Sequence, residues 1–186
     1  YNLLYKVPGY GPFFRFVESK KELNKVELEV LIREALKDRI CAQCDLGDFI
    51  LKYPIALAYT LSLISSNDRY SITPPWVLKN HPDVERLFFL LRSIPCLEGC
   101  RYCNEAFNPF PILRNNFGYP GFRKYGNEPL QENAVNAAIN NKSLLAVFPT
   151  GGGKSITFQV PALMSGRNAR ALTVVISPLQ SLMKDQ

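Results

Sequence analysis

Residues 144–155 combine the residue types and the order that phosphate binding requires. An apolar run is followed by Pro149, Thr150 and three glycines, and Lys154 and Ser155 come next at the start of a helix-compatible segment. Glycines let the backbone curl so that successive N–H groups face one anion, and a following helix adds its positive end. Lysine supplies a point charge to the terminal phosphates, and a serine hydroxyl is a Mg²⁺ ligand. This order predicts a nucleoside triphosphate site with Thr150, Gly151, Gly152, Gly153, Lys154 and Ser155.

The cysteines form a second group with chemical potential. Cys41 and Cys44 make one C-x-x-C pair, Cys100 and Cys103 make another after 55 intervening residues, and Cys96 is a fifth thiol. Two such pairs supply the four thiolates of a tetrahedral structural zinc site, and in an intracellular protein they favour a metal over disulfides. Two alternatives remain open. Cys96, Cys100 and Cys103 together with Cys41 or Cys44 could hold an iron–sulfur cluster, or the thiols could be unligated.

The elements that must position the cysteines are predicted to be helical. Residues 1–17 are rich in aromatic residues and favour a short strand or hairpin, whereas residues 18–108 carry apolar residues at helical spacing. The predicted helices are Glu18–Ile40, Asp45–Ile64, which is either bent or begun near Pro54, and Asp83–Ile94. The prolines and asparagines of residues 107–116 predict a break in regular structure and therefore a domain boundary.

The elements around the glycines are predicted to form a βαβ unit. A helix over 132–140 precedes a strand at 144–148, and a helix from 155 to 164 precedes a second strand at 172–177. Such a unit belongs to a parallel sheet, with the glycine loop, residues 149–153, at the carboxyl edge of its first strand. We therefore predict an α/β fold over residues 109–186, preceded by a mainly α-helical, zinc-binding domain over residues 1–108.

Composition and charge narrow the function classes. The chain is 47% apolar with 12% aromatic residues, which is typical of a folded protein. No apolar run approaches the roughly 20 residues of a membrane span, and no signal peptide is recognisable, so we expect an intracellular protein without a membrane partner. Of the net charge of +6, residues 110–186 contribute 8 basic and 3 acidic side chains. This excess favours a polyanionic partner such as nucleic acid, although it could also serve only solubility. Because the chain begins at Tyr1 and ends inside a motif, we expect it to be a piece of a longer protein.

Four blocks in the second half carry a family resemblance. They are Phe117-Gly118-Tyr119 with Phe122-Arg123, Pro149–Ser155, Phe158–Leu163 and Val175–Gln186. In this order and spacing the blocks resemble the start of the helicase core of RecQ-type DNA helicases, within superfamily 2. The strict phosphate-loop pattern has a glycine where Phe148 stands, and the RecQ family tolerates a bulky apolar residue there.

The resemblance implies a RecA-like lobe that uses ATP and Mg²⁺. It implies that Tyr119 and Arg123 flank the adenine, that Gln131 reads the adenine edge, and that the Ser177–Gln186 block lies along single-stranded DNA. One departure concerns Gln131. In the family the glutamine follows the Phe-Arg pair after two residues, whereas here Lys124–Leu130 intervene.

The predicted function is that of part of an ATP-dependent DNA helicase. The chain lacks the acidic Asp-Glu pair and the second lobe that the family uses for hydrolysis, so alone it is expected to bind nucleotide weakly without turnover. An alternative is that residues 1–108 form a nucleic-acid- or protein-binding module, and their near-neutral charge favours a protein partner. A small-molecule kinase fits the glycine loop but not the Ser177–Gln186 block.

Overall fold

The structure, a computed structural model, describes residues 24–65 and 73–176. The predicted strand or hairpin of residues 1–17 and the block Ser177–Gln186 lie outside these residues. The chain divides into two compact units between Tyr102 and Cys103. This division falls a few residues before the predicted boundary at residue 108, and the assignment of two domains stays a prediction.

Helices dominate the described part of the first unit, as the sequence predicts. They are α1 (Lys25–Ala35), α2 (Leu46–Lys52), α3 (Pro54–Ser65), α4 (Pro75–Asn80) and α5 (Asp83–Arg92), and α6 (Arg101–Ala106) spans the division. Asn24 begins α1 with a capping box, in which its side chain accepts the N–H of Glu27 at 2.9 Å. Of the two alternatives predicted near Pro54, the structure has the second, since a new helix, α3, begins there; proline has no N–H with which α2 could continue.

Packing of α3 against α5 forms the centre of the first unit. Both helices bury apolar side chains at helical spacing, and Leu87 and Leu91 of α5 are essentially inaccessible. The Thr60 hydroxyl lies 2.8 Å from the carbonyl oxygen of Ala56 and 3.1 Å from that of Val84, which links the two helices. The backbone N–H of Cys41 donates to the Leu91 carbonyl at 3.0 Å, so the helix pair also positions the first cysteine.

The described part of the second unit contains α7 (Phe110–Phe117), α8 (Leu130–Ile139) and α9 (Lys154–Ala169). Their shared core consists of Ile112, Leu113, Val135, Ile156, Val160 and Met164. The predicted break over 107–116 is wrong, because α7 covers most of that segment. Pro109 precedes the helix and Pro111 lies in its first turn, where a proline costs no helical hydrogen bond.

The two predicted strands are not formed among the described residues. The segments 144–148 and 172–176 have no strand partner there, and the only β pairing is an isolated bridge between Tyr125 and Glu128. Leu145 is 91% exposed and Ile176 is also 91% exposed. A strand requires a neighbouring strand for its backbone N–H and C=O groups, so an apolar run without one forms no strand. The described residues therefore show the helices of the predicted βαβ unit and not its sheet.

None of the helices that the structure describes is both long enough and apolar enough to span a bilayer.

Candidate nucleotide-binding site and cysteine cluster

The glycine loop has a conformation that only glycine adopts easily. Gly151 and Gly153 have φ angles of +73° and +68°, and the N–H of Gly152 donates to the Pro149 carbonyl at 3.0 Å. A Cβ atom at Gly152 would lie 2.8 Å from that carbonyl oxygen. Helix α9 begins at Lys154, directly after the loop, so the positive end of the helix adjoins three consecutive glycines.

Three consecutive carbonyl groups of the loop accept hydrogen bonds from side chains of residues 123–131. Arg123 Nη1 donates to the Gly151 carbonyl at 2.8 Å, and Gln131 Nε2 donates to the Gly153 carbonyl at 2.9 Å. Between them, Tyr125 Oη donates to the Gly152 carbonyl. The loop is therefore fixed by one neighbouring segment rather than by its own backbone alone.

Gln131 forms one hydrogen bond within the segment 123–131 and one to the glycine loop. Its Oε1 accepts the backbone N–H of Arg123 at 2.8 Å, and the residue is only 5% exposed. Each side of the amide thus has one protein partner, which leaves one N–H and one acceptor position for a ligand. The adenine-reading role of Gln131 stays a prediction.

The remaining predicted residues lie around the loop. Lys154 and Thr150 are exposed, Ser155 is partly buried in the first turn of α9, and Arg123 is exposed apart from its bond to Gly151. Tyr119 follows the end of α7, and its side chain is 52% exposed. The structure thus brings Arg123 and Gln131 to the glycines, while the stacking role of Tyr119 stays a prediction.

Tyr125 is a site residue that the sequence analysis did not identify. It begins a turn closed by two backbone hydrogen bonds with Glu128, of 3.0 and 3.1 Å, and its ring packs against Phe148 with 5.2 Å between centroids. The available signal was the departure from family spacing, since Tyr125 lies within the residues that separate Arg123 from Gln131.

Four thiols converge at the second candidate site. The sulfur atoms of Cys41, Cys96, Cys100 and Cys103 all lie within 4.8 Å of one another. The cluster contains three of the four predicted zinc ligands, with Cys96 in place of Cys44, and it is one of the two cysteine sets considered for the iron–sulfur alternative. None of the five cysteines, all of which the structure describes, forms a disulfide.

Backbone N–H groups donate to two of these sulfur atoms. Ala42 N–H donates to Cys100 Sγ at 3.4 Å, and Cys100 N–H donates to Cys96 Sγ at 3.3 Å. Gly99, with a φ angle of +64°, allows the chain to turn between Cys96 and Cys100. Such donors stabilise thiolates, which are the protonation state that binds metals.

Cys44 has a different environment, although it follows Cys41 by three residues. Its sulfur lies 3.9 Å from Arg33 Nη1, and the same guanidinium donates to the carbonyl groups of Ala42 and Cys44 and pairs with Glu29 at 2.7 Å. Burial raises the pKa of the Cys44 thiol, and the neighbouring guanidinium opposes this effect. The Arg33 contacts therefore hold the loop that carries Cys41 and leave Cys44 beside the cluster.

Comparison with known proteins decides between the families considered for the glycine loop. Residues 128–186 match the DEAD/DEAH box helicase family. ATP-dependent DNA helicase RecQ of Haemophilus influenzae is 49% identical over 75 residues, which are 40% of this chain and 11% of that protein. ATP-dependent DNA helicase hus2/rqh1 of Schizosaccharomyces pombe is 45% identical over 74 residues, 40% of this chain and 5% of that protein. The resemblance to RecQ-type helicases is confirmed.

The human relative, ATP-dependent DNA helicase Q4, is 48% identical over 69 residues, 37% of this chain and 5% of that protein. The chain thus spans between 5% and 11% of the length of these three RecQ-like relatives. The match to the DEAD/DEAH box family implies a RecA-like lobe that contains Gln131 and the glycine loop, whereas Tyr119, Arg123 and Tyr125 precede the matched residues. No solved structure is significantly similar to this chain.

Proposed function

We propose that this chain supplies the nucleotide-binding part of an ATP-dependent DNA helicase of RecQ type. The observation that carries the proposal is the glycine loop, which runs directly into α9 and whose carbonyl groups are held by residues 123–131. This arrangement lies in the segment that resembles RecQ-type helicases, and its RecQ-like relatives are named as ATP-dependent DNA helicases.

In this proposal the loop N–H groups and Lys154 bind the phosphates of ATP, and the Ser155 hydroxyl contributes to Mg²⁺ binding. Arg123 is exposed and anchored to Gly151 through one guanidinium nitrogen, so its planar face remains available to pack on an adenine ring. Tyr119 packs on the opposite face, and Gln131 uses its remaining amide positions for the adenine edge.

In the same proposal, single-stranded DNA lies along Ser177–Gln186. Bound Mg²⁺ neutralises phosphate charge during phosphoryl transfer to water.

A lysine substitution tests the proposal. In the complete protein, Lys154→Ala is expected to abolish DNA-stimulated ATP hydrolysis and strand unwinding, because the phosphates lose their point charge. Lys142→Ala removes another exposed lysine, outside the loop, and is expected to leave both activities intact. Full activity of Lys154→Ala, or no ATPase activity in the unsubstituted protein, would contradict the proposal.

We also propose that Cys41, Cys96, Cys100 and Cys103 bind one structural Zn²⁺. Four sulfur ligands at about 2.3 Å from a tetrahedral zinc ion lie about 3.8 Å from one another, which is compatible with four thiols that all lie within 4.8 Å. In a four-iron cluster each thiolate binds a different iron, so the four sulfur atoms lie further apart than around a single ion. The observed convergence therefore favours zinc over the iron–sulfur alternative.

Paired cysteine substitutions test the ligand set. Cys96→Ser is expected to lower the zinc content of the purified complete protein and its melting temperature, since a structural zinc site contributes directly to folding. Cys44→Ser is the matched control and is expected to retain zinc at the level of the unsubstituted protein. Zinc loss in Cys44→Ser together with retention in Cys96→Ser would support the two C-x-x-C pairs instead. Iron in place of zinc by elemental analysis would support the cluster.

A further inference from the structure

We propose that Tyr125 is a positioning residue for the phosphates of the nucleotide, an inference that rests on the proposed nucleotide site. Tyr125 lies in the segment Lys124–Leu130, which separates Arg123 from Gln131 by seven residues where the family spacing has two. Its role is to hold the middle peptide group of the glycine loop in the orientation that anion binding requires.

Side chains of one segment hold the three carbonyl groups of the glycine loop. Those of Gly151, Gly152 and Gly153 each accept a side-chain donor from the same segment, and the donor to the middle one is the Tyr125 hydroxyl. A glycine peptide group rotates easily, because both φ and ψ have wide allowed ranges. Without the Tyr125 hydroxyl, the Gly152 carbonyl would be the one of these three that accepts no hydrogen bond from this segment.

The carbonyl orientation determines where the N–H groups of the loop point. In a trans peptide the C=O and the N–H of the next residue point in opposite directions, and the structure has no cis peptide bonds among its described residues. The bond from Tyr125 to the Gly152 carbonyl therefore turns the N–H of Gly153 away from residues 123–131. The bond from Gln131 to the Gly153 carbonyl does the same for the N–H of Lys154. These two N–H groups lie at the start of α9, where backbone donors and the helix dipole attract anions.

Tyr125 is itself held in place. Its ring packs on Phe148, which is 7% exposed and directly precedes the loop, and its backbone is closed into a turn by two hydrogen bonds with Glu128. Gly126 within this turn has a φ angle of +61°. The hydroxyl thus reaches the loop from a side chain with little remaining freedom, so little conformational entropy is lost when the bond forms.

The test is the removal of one oxygen atom. Tyr125→Phe keeps the ring that packs on Phe148 and removes the donor to Gly152. Loss of one hydrogen bond that orients the site is expected to weaken binding about five- to tenfold. Isothermal titration of the complete protein with ATP·Mg²⁺ and with inorganic tripolyphosphate should show this loss in both titrations, while adenosine binding stays unchanged, because only phosphates use the loop N–H groups.

Tyr102→Phe is the matched control. It also removes a tyrosine hydroxyl that donates to a backbone carbonyl, that of Arg92 at 2.8 Å, but in the first unit. Its melting temperature is expected to fall with no change in affinity for ATP or tripolyphosphate. Equal affinities for ATP and tripolyphosphate in Tyr125→Phe and the unsubstituted protein would refute the role of Tyr125 but not the proposed function. Equal weakening of adenosine binding, or equal weakening in Tyr102→Phe, would also refute it. No ATP binding by the unsubstituted protein would instead refute the proposed function, and the inference with it.

Discussion

Replacement of Gln131 offers a quantitative test of how the glycine loop is held. The Gln131 side chain makes two hydrogen bonds inside the second unit, one of 2.8 Å from the Arg123 backbone N–H and one of 2.9 Å to the Gly153 carbonyl, and it is 5% exposed. Gln131→Ala removes both bonds and leaves a backbone donor and a backbone acceptor without their partner.

The expected loss of unfolding free energy is about 2–3 kcal/mol. Each hydrogen bond contributes roughly 0.5–1.5 kcal/mol, and truncation of the buried aliphatic part adds about 0.8 kcal/mol per methylene. The value stays below the full penalty for two unpaired buried groups, because both hydrogen bonds are only partly buried and water can replace part of what is lost. In the alternative, in which Gln131 serves only a ligand, its removal would leave stability almost unchanged.

Urea unfolding followed by far-UV circular dichroism measures this loss. Gln43→Ala is the matched control, because Gln43 bonds only an exposed carboxylate of Glu98 among the contacts observed, and its removal is expected to change stability by less than about 0.5 kcal/mol. A loss below about 0.5 kcal/mol in Gln131→Ala, or equal losses in both variants, would refute the structural role assigned to Gln131.

The variant Gln131→Glu is expected to have a stability that depends on pH. The introduced carboxylate can accept the Arg123 N–H but cannot donate to the Gly153 carbonyl, whereas the protonated carboxyl group can do both. The native state therefore favours the protonated form and raises the pKa of the introduced group above its unfolded value. The free energy of unfolding of Gln131→Glu, relative to that of the unsubstituted protein, is therefore expected to recover as the pH falls through the raised pKa. A stability difference that grows with acidification would refute this assignment.

Two further substitutions test the loop and the core. Gly152→Ala is expected to reduce ATP affinity at least tenfold, because its Cβ would lie 2.8 Å from the Pro149 carbonyl oxygen; Gly121→Ala, at a position with open space around it, is the control. Leu113→Ala is expected to lower the unfolding free energy in urea by about 2–5 kcal/mol, because the side chain is 1% exposed in the core of the second unit. Leu145→Ala, at a position 91% exposed, should change it by less than about 0.5 kcal/mol, and a similar loss in both leucine variants would contradict the core assignment.

Local signals explain which helices could be predicted. Pro54 divides α2 from α3 and Pro82 precedes α5, and both effects depend only on the missing N–H and restricted φ of proline. Proline is also the reason why the break predicted at residues 107–116 is wrong. Proline breaks a helix interior but suits its first turn, and which of the two applies at Pro111 depends on where α7 begins.

The strands show what a local pattern cannot decide. The run 144–148 has the composition of a buried strand, yet pairing requires a second segment at the right distance, and no described residue provides one. A helix satisfies its own backbone, so α9 forms where the sequence predicts a helix, whereas a strand depends on a partner elsewhere in the chain.

The sequence by itself predicted the chemistry of both candidate sites. Three glycines before Lys154 and Ser155 predict a phosphate loop because the required backbone angles are local, and closely spaced thiols predict a metal site because spacing and residue type are local too. The tertiary structure alone decided which side chains complete these sites. Cys96 rather than Cys44 joins the thiol cluster because packing among the described helices between the two C-x-x-C pairs sets how the thiols approach one another. Tyr125 reaches the Gly152 carbonyl for the same physical reason: contacts between distant residues depend on packing, which spacing does not encode.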